Sequence, residues 1–269
     1  MVAVPGDGAE LVADLLWQIG AEAIEERAAG ERAAGERIEL VTSFPPDRYS
    51  EAVAALRSAG HAPVEVEVDE AAYADAWRPF AEAVRVGERV VVEPRWQPTV
   101  ARPGDIAVRI DPGRAFGSGA HPSTRLVLDE LVARVRPGDR VLDVGCGSGV
   151  LAVVAAALGA TVTAVDVDPE AVRATAANAR ANGVAVAVSD LPLTEVNDAF
   201  DLVCANLLAP IVLALAPELR RVVAGAGTLV VSGLLAGRWR PVAAALAPLE
   251  VRSVGERDGW ASLVLSPPG

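Results

Sequence analysis

Residues 141–166 constrain the fold most strongly, because they combine an apolar strand, a glycine turn, a helix and a second strand. The turn reads GCGSG from Gly145 onward, and a carboxylate, Asp166, ends the second strand 21 residues later. Glycine lets a backbone turn sharply and approach a ligand closely, since no Cβ intervenes. A carboxylate at this position can accept hydrogen bonds from both hydroxyls of an adenosine ribose. The stretch therefore predicts an α/β domain that binds an adenosine cofactor.

The residue that follows the turn distinguishes between two kinds of adenosine cofactor. A dinucleotide-binding loop prefers the pattern G-x-G-x-x-G, whose last glycine permits tight packing of the helix. This chain has Val150 at that position, which favours S-adenosylmethionine. We expect Gly145, Gly147 and Asp166 to contact this cofactor, together with Asp190, which directly follows the next predicted strand. The alternative is that the glycines serve only a strand-to-helix turn.

Strands and helices alternate from residue 106 onward, which is typical of a parallel sheet covered by helices on both faces. The last two predicted strands are separated only by residues 255–259, so they must form an antiparallel hairpin. A Rossmann-like seven-stranded sheet that ends in this way is typical of methyltransferases, whereas a dehydrogenase sheet continues with another crossover. Strands are predicted at 141–144, 161–165, 185–188, 201–205, 227–232, 250–254 and 260–265, and helices at 122–134, 149–158, 169–182, 210–223 and 238–247.

The beginning of the chain shows a different order of elements, β-α-β-β-α-β, which predicts a smaller ferredoxin-like α+β domain. Its strands are expected at 2–4, 23–26, 38–44 and 64–68, and its helices at 9–19 and 46–59. A connector follows, with a strand at 90–92 and a short helix whose apolar face carries Tyr73, Trp77 and Phe80. The predicted boundaries are 1–68 for the first domain, 69–105 for the connector and 106–269 for the α/β domain.

Charge and composition narrow the range of partners. The 269-residue chain has a formal net charge of −12, and all of its basic residues are arginine. This balance argues against tight nonspecific binding to nucleic acid, which needs clustered basic charge, and it permits a basic protein partner. Cys146 and Cys204 lack metal-ligand spacing and are typical of free thiols in a reducing compartment. With no signal peptide and no apolar run of about 18 residues, we expect a cytoplasmic monomer without a bound metal or a membrane partner.

A second group of candidate residues lies at 111–124, ahead of the first helix of the α/β domain. The segment contains glycines at 113, 117 and 119 together with Phe116 and His121. Such a loop can fold over a ligand, with Phe116 covering it and Thr124 supplying a hydroxyl from the first helical turn. The alternative is an ordinary linker in which His121 caps the helix or packs in the core.

Asn206 is the third candidate, because it follows the apolar strand predicted at 201–205. Ligands of open α/β sheets bind at the carboxyl ends of the strands, and Asn206 lies at such an end. Its side-chain carbonyl can accept a hydrogen bond from an attacking amine and direct the lone pair of that amine at a methyl group. The alternative is an asparagine that is merely tolerated at a turn.

Taken together, these motifs resemble the PrmA family of ribosomal protein L-eleven methyltransferases. The glycine turn is common to many methyltransferases, whereas the loop FGSGAH combined with the turn ANLLA is much more specific. The resemblance rests on segments 77–96, 111–124, 141–168, 205–209 and 232–235. Together these segments span the connector and the α/β domain, roughly two-thirds of the chain.

The resemblance implies transfer of methyl groups from S-adenosylmethionine to amines of a large-subunit ribosomal protein, namely lysine side chains and the N-terminal α-amine. It implies that the ferredoxin-like domain recognises this protein. It also places the cofactor contacts of the family on Thr124, Gly145, Asp166 and Asn206. His121 is a candidate for the base that removes a proton from the amine.

Two other functions remain open at this point. An N-methyltransferase acting on another protein or on nucleic acid is one, although a nucleic-acid enzyme would be expected to stack a flipped base on an aromatic residue after Asn206. This chain has Leu207, Leu208 and Ala209 there. The other is a binding module without catalytic activity, in which case the glycines or Asp166 would be expected to be lost.

Overall fold

The structure is a computed structural model, which describes residues 2–5, 12, 15–16, 19, 21, 23–28, 37–44, 48–64, 78, 81–113, 115 and 117–269. The chain divides into two compact units, residues 1–70 and 71–269. Each unit has a hydrophobic core of its own.

The described part of the first unit contains three antiparallel strands and a helix. Strands β1 (Val2–Pro5) and β2 (Ala23–Ala28) both pair with β3 (Arg37–Ser43), so the order is β1-β3-β2. Helix α1 (Tyr49–Ser58) follows, and its Leu56 packs in the core with Leu16 and Leu40. This order is the one that a ferredoxin-like fold requires of its first three strands.

Three predicted elements of this unit are only partly described. Residues 12, 15 and 16 are helical, within the helix predicted at 9–19. Helix α1 begins at Tyr49, three residues later than predicted, and residues 45–47 lie outside the described ones. The last predicted strand, at 64–68, also lies outside them except for Val64, so it stays a prediction.

The second unit begins with a small sheet. Strand β5 (Val90–Pro94) lies in its middle, antiparallel to β4 (Val84–Val86) and parallel to β6 (Ile106–Ile110). Two of the three strands come from the stretch that the sequence suggested was a connector, so part of this stretch is built into a sheet with β6. The predicted helix face of Tyr73, Trp77 and Phe80 lies outside the described residues.

A seven-stranded sheet forms the main body of the second unit, in the order β12-β13-β11-β10-β7-β8-β9. Neighbours from β11 to β9 run parallel, while β13 is antiparallel to both β11 and β12. The predicted methyltransferase-type α/β fold is thus confirmed. The strands are β7 (Arg140–Val144), β8 (Thr161–Val165), β9 (Val186–Ser189), β10 (Phe200–Asn206), β11 (Val223–Leu235), β12 (Glu250–Arg257) and β13 (Trp260–Ser266).

Apolar side chains alternate along the central strands and fill both faces of this sheet, as a parallel sheet with helices on both sides requires. In β7, Val141 belongs to one core and Leu142 to the other; in β10, Cys204 and Val203 divide in the same way. Among the described residues, no helix is long and apolar enough to cross a lipid bilayer. The helices are α2 (Pro122–Arg134), α3 (Val150–Ala157), α4 (Pro169–Ala181), α5 (Ala209–Arg221) and α6 (Arg240–Ala245).

The C-terminal hairpin is tighter than predicted. Strand β12 extends to Arg257, and β13 begins at Trp260, so only two residues form the turn. These are Asp258 and Gly259, with φ of +47° and +79°. Asp-Gly is a favoured pair in two-residue hairpin turns, because both positions need positive φ. The prediction was wrong over residues 255–257, where glycine and charged residues hide the strand pattern.

Candidate active site

A cavity of about 720 Å³ lies at the carboxyl ends of β7, β8 and β10. Its volume is within the range of about 300–1,000 Å³ that is common for small-molecule sites, and its lining is mostly apolar. This is the edge where ligands bind in open α/β sheets. The structure brings five of the predicted site residues together in its wall: Thr124, Gly145, Gly147, Asp166 and Asn206.

The turn between β7 and α3 depends on glycine for its conformation. Gly145, Gly147 and Gly149 have φ of +72°, +53° and +80°, a region that side-chain-bearing residues rarely adopt. A Cβ on Gly145 would lie 2.4 Å from Cδ2 of Leu207, and one on Gly149 would lie 2.7 Å from Oγ1 of Thr175. Glycine therefore allows the turn to approach the segment after β10 on one side and α4 on the other.

The carboxylate of Asp166 is held in a fixed orientation at the end of β8. Its Oδ2 accepts the backbone N–H of Gly147 at 2.9 Å, and its Oδ1 accepts that of Asp168 at 3.0 Å. Because each carboxylate oxygen has a second lone pair, Asp166 can bind the hydroxyls of a ligand while keeping both backbone bonds. The same side chain thus ties the glycine turn to the end of β8.

Asn206 is fixed by a hydrogen bond to α2. It is the last residue of β10 and pairs with Ser232 of β11 in register. Its Nδ2 donates to Oγ1 of Thr124 at 3.1 Å, and Thr124 is itself buried in the first turn of α2. Since the nitrogen and oxygen of a planar amide point in different directions, this bond turns Oδ1 away from Thr124 and leaves it in position to accept a donor.

His121 does not line the cavity. It is the N-cap of α2: its Nδ1 accepts the backbone N–H of Ser123 at 3.3 Å and lies 2.8 Å from the Ser123 hydroxyl. Its ring meets that of Trp260 edge to face, with centroids 4.9 Å apart. Burial lowers the pKa of His121 below its ordinary value, so the ring is neutral near pH 7. This geometry supports the capping interpretation over the general base.

The outcomes for two further predicted residues, Phe116 and Asp190, differ. Phe116 lies outside the described residues, although Ala115 on one side and Gly117 on the other line the cavity. Asp190 is exposed and does not line it, whereas Leu191 directly after it does. The sequence therefore indicated the correct strand end for Asp190, but not which side chains around it face the cavity.

Among the parts of the wall that sequence reasoning missed, two can be compared with their sequence signals. Asp168 lines the cavity and caps α4, with its Oδ1 accepting the N–H of Glu170 at 2.8 Å. An aspartate followed by proline and glutamate is a recognisable helix start, so this residue had a signal. The second part is residues 191–194, after β9. Only the position of this segment at the carboxyl edge of the sheet would have indicated it.

A buried carboxylate, Asp143, lies in β7 just before the glycine turn. Its Oδ2 accepts the N–H of Ala152 at 3.1 Å, and no described residue forms a hydrogen bond with its Oδ1. Burial raises the pKa of Asp143 to about 7, and the charge of Asp166 adds to this effect. Burial also raises the pKa of both nearby thiols, Cys146 to about 12 and Cys204 well above its ordinary value, so these free cysteines stay protonated.

Asp143 should make the protein less stable as the pH rises. In the unfolded chain it releases its proton near its ordinary pKa of 3.8, but in the folded chain it keeps the proton up to about 7. Between these values the folded state holds the extra proton, so the free energy of unfolding falls with rising pH and reaches its minimum above about 7. Asp143→Asn should raise the free energy of unfolding at pH 8 by about 2 kcal/mol, since relief of the charge exceeds the cost of an unpaired amide N–H.

Urea unfolding of both proteins at pH 5 and pH 8 measures this effect. The gain from Asp143→Asn should be small at pH 5 and large at pH 8. Asp139→Asn is a control, because this exposed carboxylate accepts only the N–H of Arg136 at 2.7 Å. An equal gain from Asp143→Asn at both pH values would contradict the prediction.

Comparison with known proteins identifies the family. The sequence profile of "Ribosomal protein L11 methyltransferase (PrmA)" matches residues 6–267, almost the whole chain. The chain belongs to the PrmA family. The resemblance drawn from the sequence motifs is thereby confirmed, and the PrmA-family protein is a methyltransferase.

Relatives of this PrmA-family protein cover both of its units. It is 38% identical to a ribosomal protein L11 methyltransferase of Pelotomaculum thermopropionicum over 97% of this chain and 96% of the relative. It is 40% identical to the protein of the same name from Symbiobacterium thermophilum, over 75% of this chain and 67% of the relative. Its fold is similar to the crystal structure of a ribosomal protein L11 methylase from Lactobacillus delbrueckii subsp. bulgaricus. That match has a TM-score of 0.65 and 30% identity, and it covers 70% of this chain and 99% of the other.

Proposed function

We propose that this PrmA-family protein transfers methyl groups from S-adenosylmethionine to amines of ribosomal protein L11, at lysine side chains and the N-terminal α-amine. The observation that carries the proposal is the placement of Asp166 and Asn206 in the wall of one cavity. The first is a carboxylate suited to a ribose, and the second is an amide suited to an amine. We place the activity in the cytoplasm, where ribosomal proteins are made.

The cavity fits the cofactor in three respects. The glycine turn presents backbone without side chains, because Gly145, Gly147 and Gly149 all have positive φ. Asp166 offers two oxygens that backbone N–H groups already orient. The apolar remainder of the wall suits the faces of an adenine base. When bound, S-adenosylmethionine would supply an activated methyl group on a sulfonium, and the rest of the chemistry falls to the protein.

The task of the protein is to present a neutral amine in the correct orientation. Oδ1 of Asn206 can orient the amine by accepting a hydrogen bond from its N–H. It is available because the amide nitrogen of Asn206 already donates to Thr124. A bond from the amine hydrogen to Oδ1 turns the nitrogen lone pair away from Asn206. An asparagine has no basicity near neutral pH, so water carries the proton of the lysine away before transfer. Water is the acceptor of this proton instead of His121, because Nδ1 of His121 is engaged by Ser123 at the start of α2.

Incubating purified ribosomal protein L11 with the enzyme and S-adenosylmethionine, followed by mass spectrometry of its peptides, tests the proposal. Methyl groups should appear on lysine side chains and on the N-terminal amine. The Asp166→Ala variant serves as the control for contaminating activity. An unmodified L11, with methylation of another protein or of RNA in a ribosomal extract, would contradict the assigned substrate.

We also propose that the first unit recognises the substrate protein and the second holds the cofactor. Every described residue that lines the cavity belongs to the second unit, 71–269. A truncated protein that begins at Ala71 should therefore bind S-adenosylhomocysteine within about threefold of the full chain, as expected when no contact to the ligand is lost. It should fail to methylate intact L11. Methylation of L11 at the full rate by the truncated protein would contradict this division.

A further inference from the structure

One buried amide joins three separate elements behind the cofactor cavity. Asn178 lies in α4, is 1% exposed and does not line the cavity. Its Oδ1 accepts the backbone N–H of Asp111 at 3.0 Å, and its Nδ2 donates to the backbone oxygen of Asp111 at 2.9 Å. The same Nδ2 donates to the backbone oxygen of Ser148 in the glycine turn, also at 2.9 Å. The side chain thus connects α4, the start of the 111–121 segment and the glycine turn.

A second buried side chain connects the same segment to the same turn. Ser148 is fully buried, and its Oγ donates to the backbone oxygen of Gly117 at 2.5 Å. A Cβ on Gly117 would lie 3.0 Å from this Oγ, and Gly117 has a φ of +106°, so only glycine fits without strain. The 111–121 segment is therefore fastened at two points, Asp111 through Asn178 and Gly117 through Ser148.

These two fastenings connect two neighbouring walls of the cavity, the 111–121 segment and the glycine turn. Ala115 and Gly117 of the segment line it, and so do Gly145 and Gly147 of the turn. We propose that Asn178 and Ser148 are positioning residues that set the distance between these walls, and through it the affinity for the cofactor. The inference rests on the proposed cofactor site, and it assigns to Asn178 a role without direct contact to any ligand.

Loss of the Asn178 amide has a definite consequence. Three backbone groups would lose their partner: the part-buried N–H and oxygen of Asp111 and the buried oxygen of Ser148. Buried backbone groups without a partner drive local rearrangement. Cofactor binding would then have to order the 111–121 segment as well. The free-energy cost of this ordering weakens the affinity for the cofactor.

Asn182, the half-buried C-terminal cap residue of α4, serves as the control, one turn after Asn178. Its Oδ1 accepts the N–H of Arg109 at 2.8 Å, and its Nδ2 donates to the backbone oxygens of Arg109 and Asn178, both at 2.8 Å. It therefore makes the same kind and number of bonds, but to β6 instead of the 111–121 segment. Neither Arg109 nor Asn182 lines the cavity. A purely structural role predicts that the changes in Kd of the two variants follow their changes in Tm.

The experiment compares full-length Asn178→Ala, Ser148→Ala and Asn182→Ala with the parent protein. Calorimetry gives the Kd for S-adenosylhomocysteine, and thermal unfolding without ligand gives Tm. Both Asn178→Ala and Asn182→Ala should lower Tm, and Asn178→Ala should lower it more, because water can reach the groups that the half-buried Asn182 leaves. Asn178→Ala should raise Kd about tenfold, on the scale of one hydrogen bond, and Ser148→Ala should also raise it. Asn182→Ala should leave Kd within about twofold of the parent value.

Each other outcome has a clear meaning. Equal Kd changes in Asn178→Ala and Asn182→Ala, or none in either, would overturn the positioning role. If Asn178→Ala does not fold, Ser148→Ala decides, and a parent-like Kd in that variant overturns the inference. Failure of the parent protein to bind S-adenosylhomocysteine would instead refute the proposed cofactor site, so the two failures are distinguishable.

Discussion

Asp166→Ala should weaken the binding of S-adenosylmethionine about 100-fold. The substitution removes the carboxylate proposed to bind the ribose, and a hydrogen bond to a charged group is worth about 1.5–3 kcal/mol. It also frees the N–H groups of Gly147 and Asp168, which Asp166 now holds at 2.9 and 3.0 Å. Both effects act in the same direction, because the glycine turn loses its tie to the end of β8. Calorimetric titration of the variant with cofactor measures the change.

Asp190→Ala is the matched control for this prediction. Asp190 follows β9 as Asp166 follows β8, but it is exposed and does not line the cavity. We expect its affinity to stay within about twofold of the parent value, since no ligand contact is lost. An unchanged cofactor affinity of Asp166→Ala would show that Asp166 does not bind the ribose. An equal loss of cofactor affinity in both variants would indicate that the affinity depends on the total negative charge at this edge of the sheet, and not on a contact of Asp166.

Asn206→Ala should lower the rate of methyl transfer about 100-fold at saturating cofactor, comparable to the loss of one positioned polar group in an active site. The reason is that the hydrogen bond to the amine matters most when the amine attacks, so its loss falls mainly on kcat. A smaller loss of cofactor affinity is also expected, because Asn206 lines the same cavity as Asp166. Single-turnover measurements at saturating cofactor separate the two effects.

Thr124→Val is informative beside Asn206→Ala. It removes the hydroxyl that accepts the Asn206 amide at 3.1 Å but keeps the volume and the asparagine. The rate should fall by about tenfold, less than in Asn206→Ala, because the amide is present but free to rotate. A normal single-turnover rate in Asn206→Ala would mean that Asn206 only binds cofactor, and its proposed role in orienting the amine would be wrong.

Sequence reasoning succeeded where the determining interactions are local. Helix α2 was predicted at 122–134 and runs from Pro122 to Arg134, because a proline at the start and apolar spacing within the helix act over a few residues. The glycine turn was also readable, since positive φ is a property of single residues. The parallel sheet and its antiparallel final hairpin followed from alternating strands and helices and from the short final connection.

It was less successful where residues distant in sequence decide the outcome. Asp166 and Asp190 had equivalent signals, a carboxylate directly after a parallel strand, but only Asp166 lines the cavity. The difference depends on the path of the chain after each strand. Residues 90–92 were expected to be a strand within a connector, whereas the pairing of Val90–Pro94 with β6 makes this strand the centre of a small sheet.

The sequence by itself therefore determined the methyltransferase-type sheet, the glycine turn and the strand ends at which Asp166 and Asn206 lie. Local backbone preferences and the period of apolar residues are sufficient for these features. Only the tertiary structure decided which side chains hold the site in place. Asn206 reaches Thr124 across 82 residues, and Asn178 reaches Asp111 across 67. Such bonds depend on how α2 and α4 pack against the sheet, and no local pattern records that packing because its energy arises only when distant segments meet.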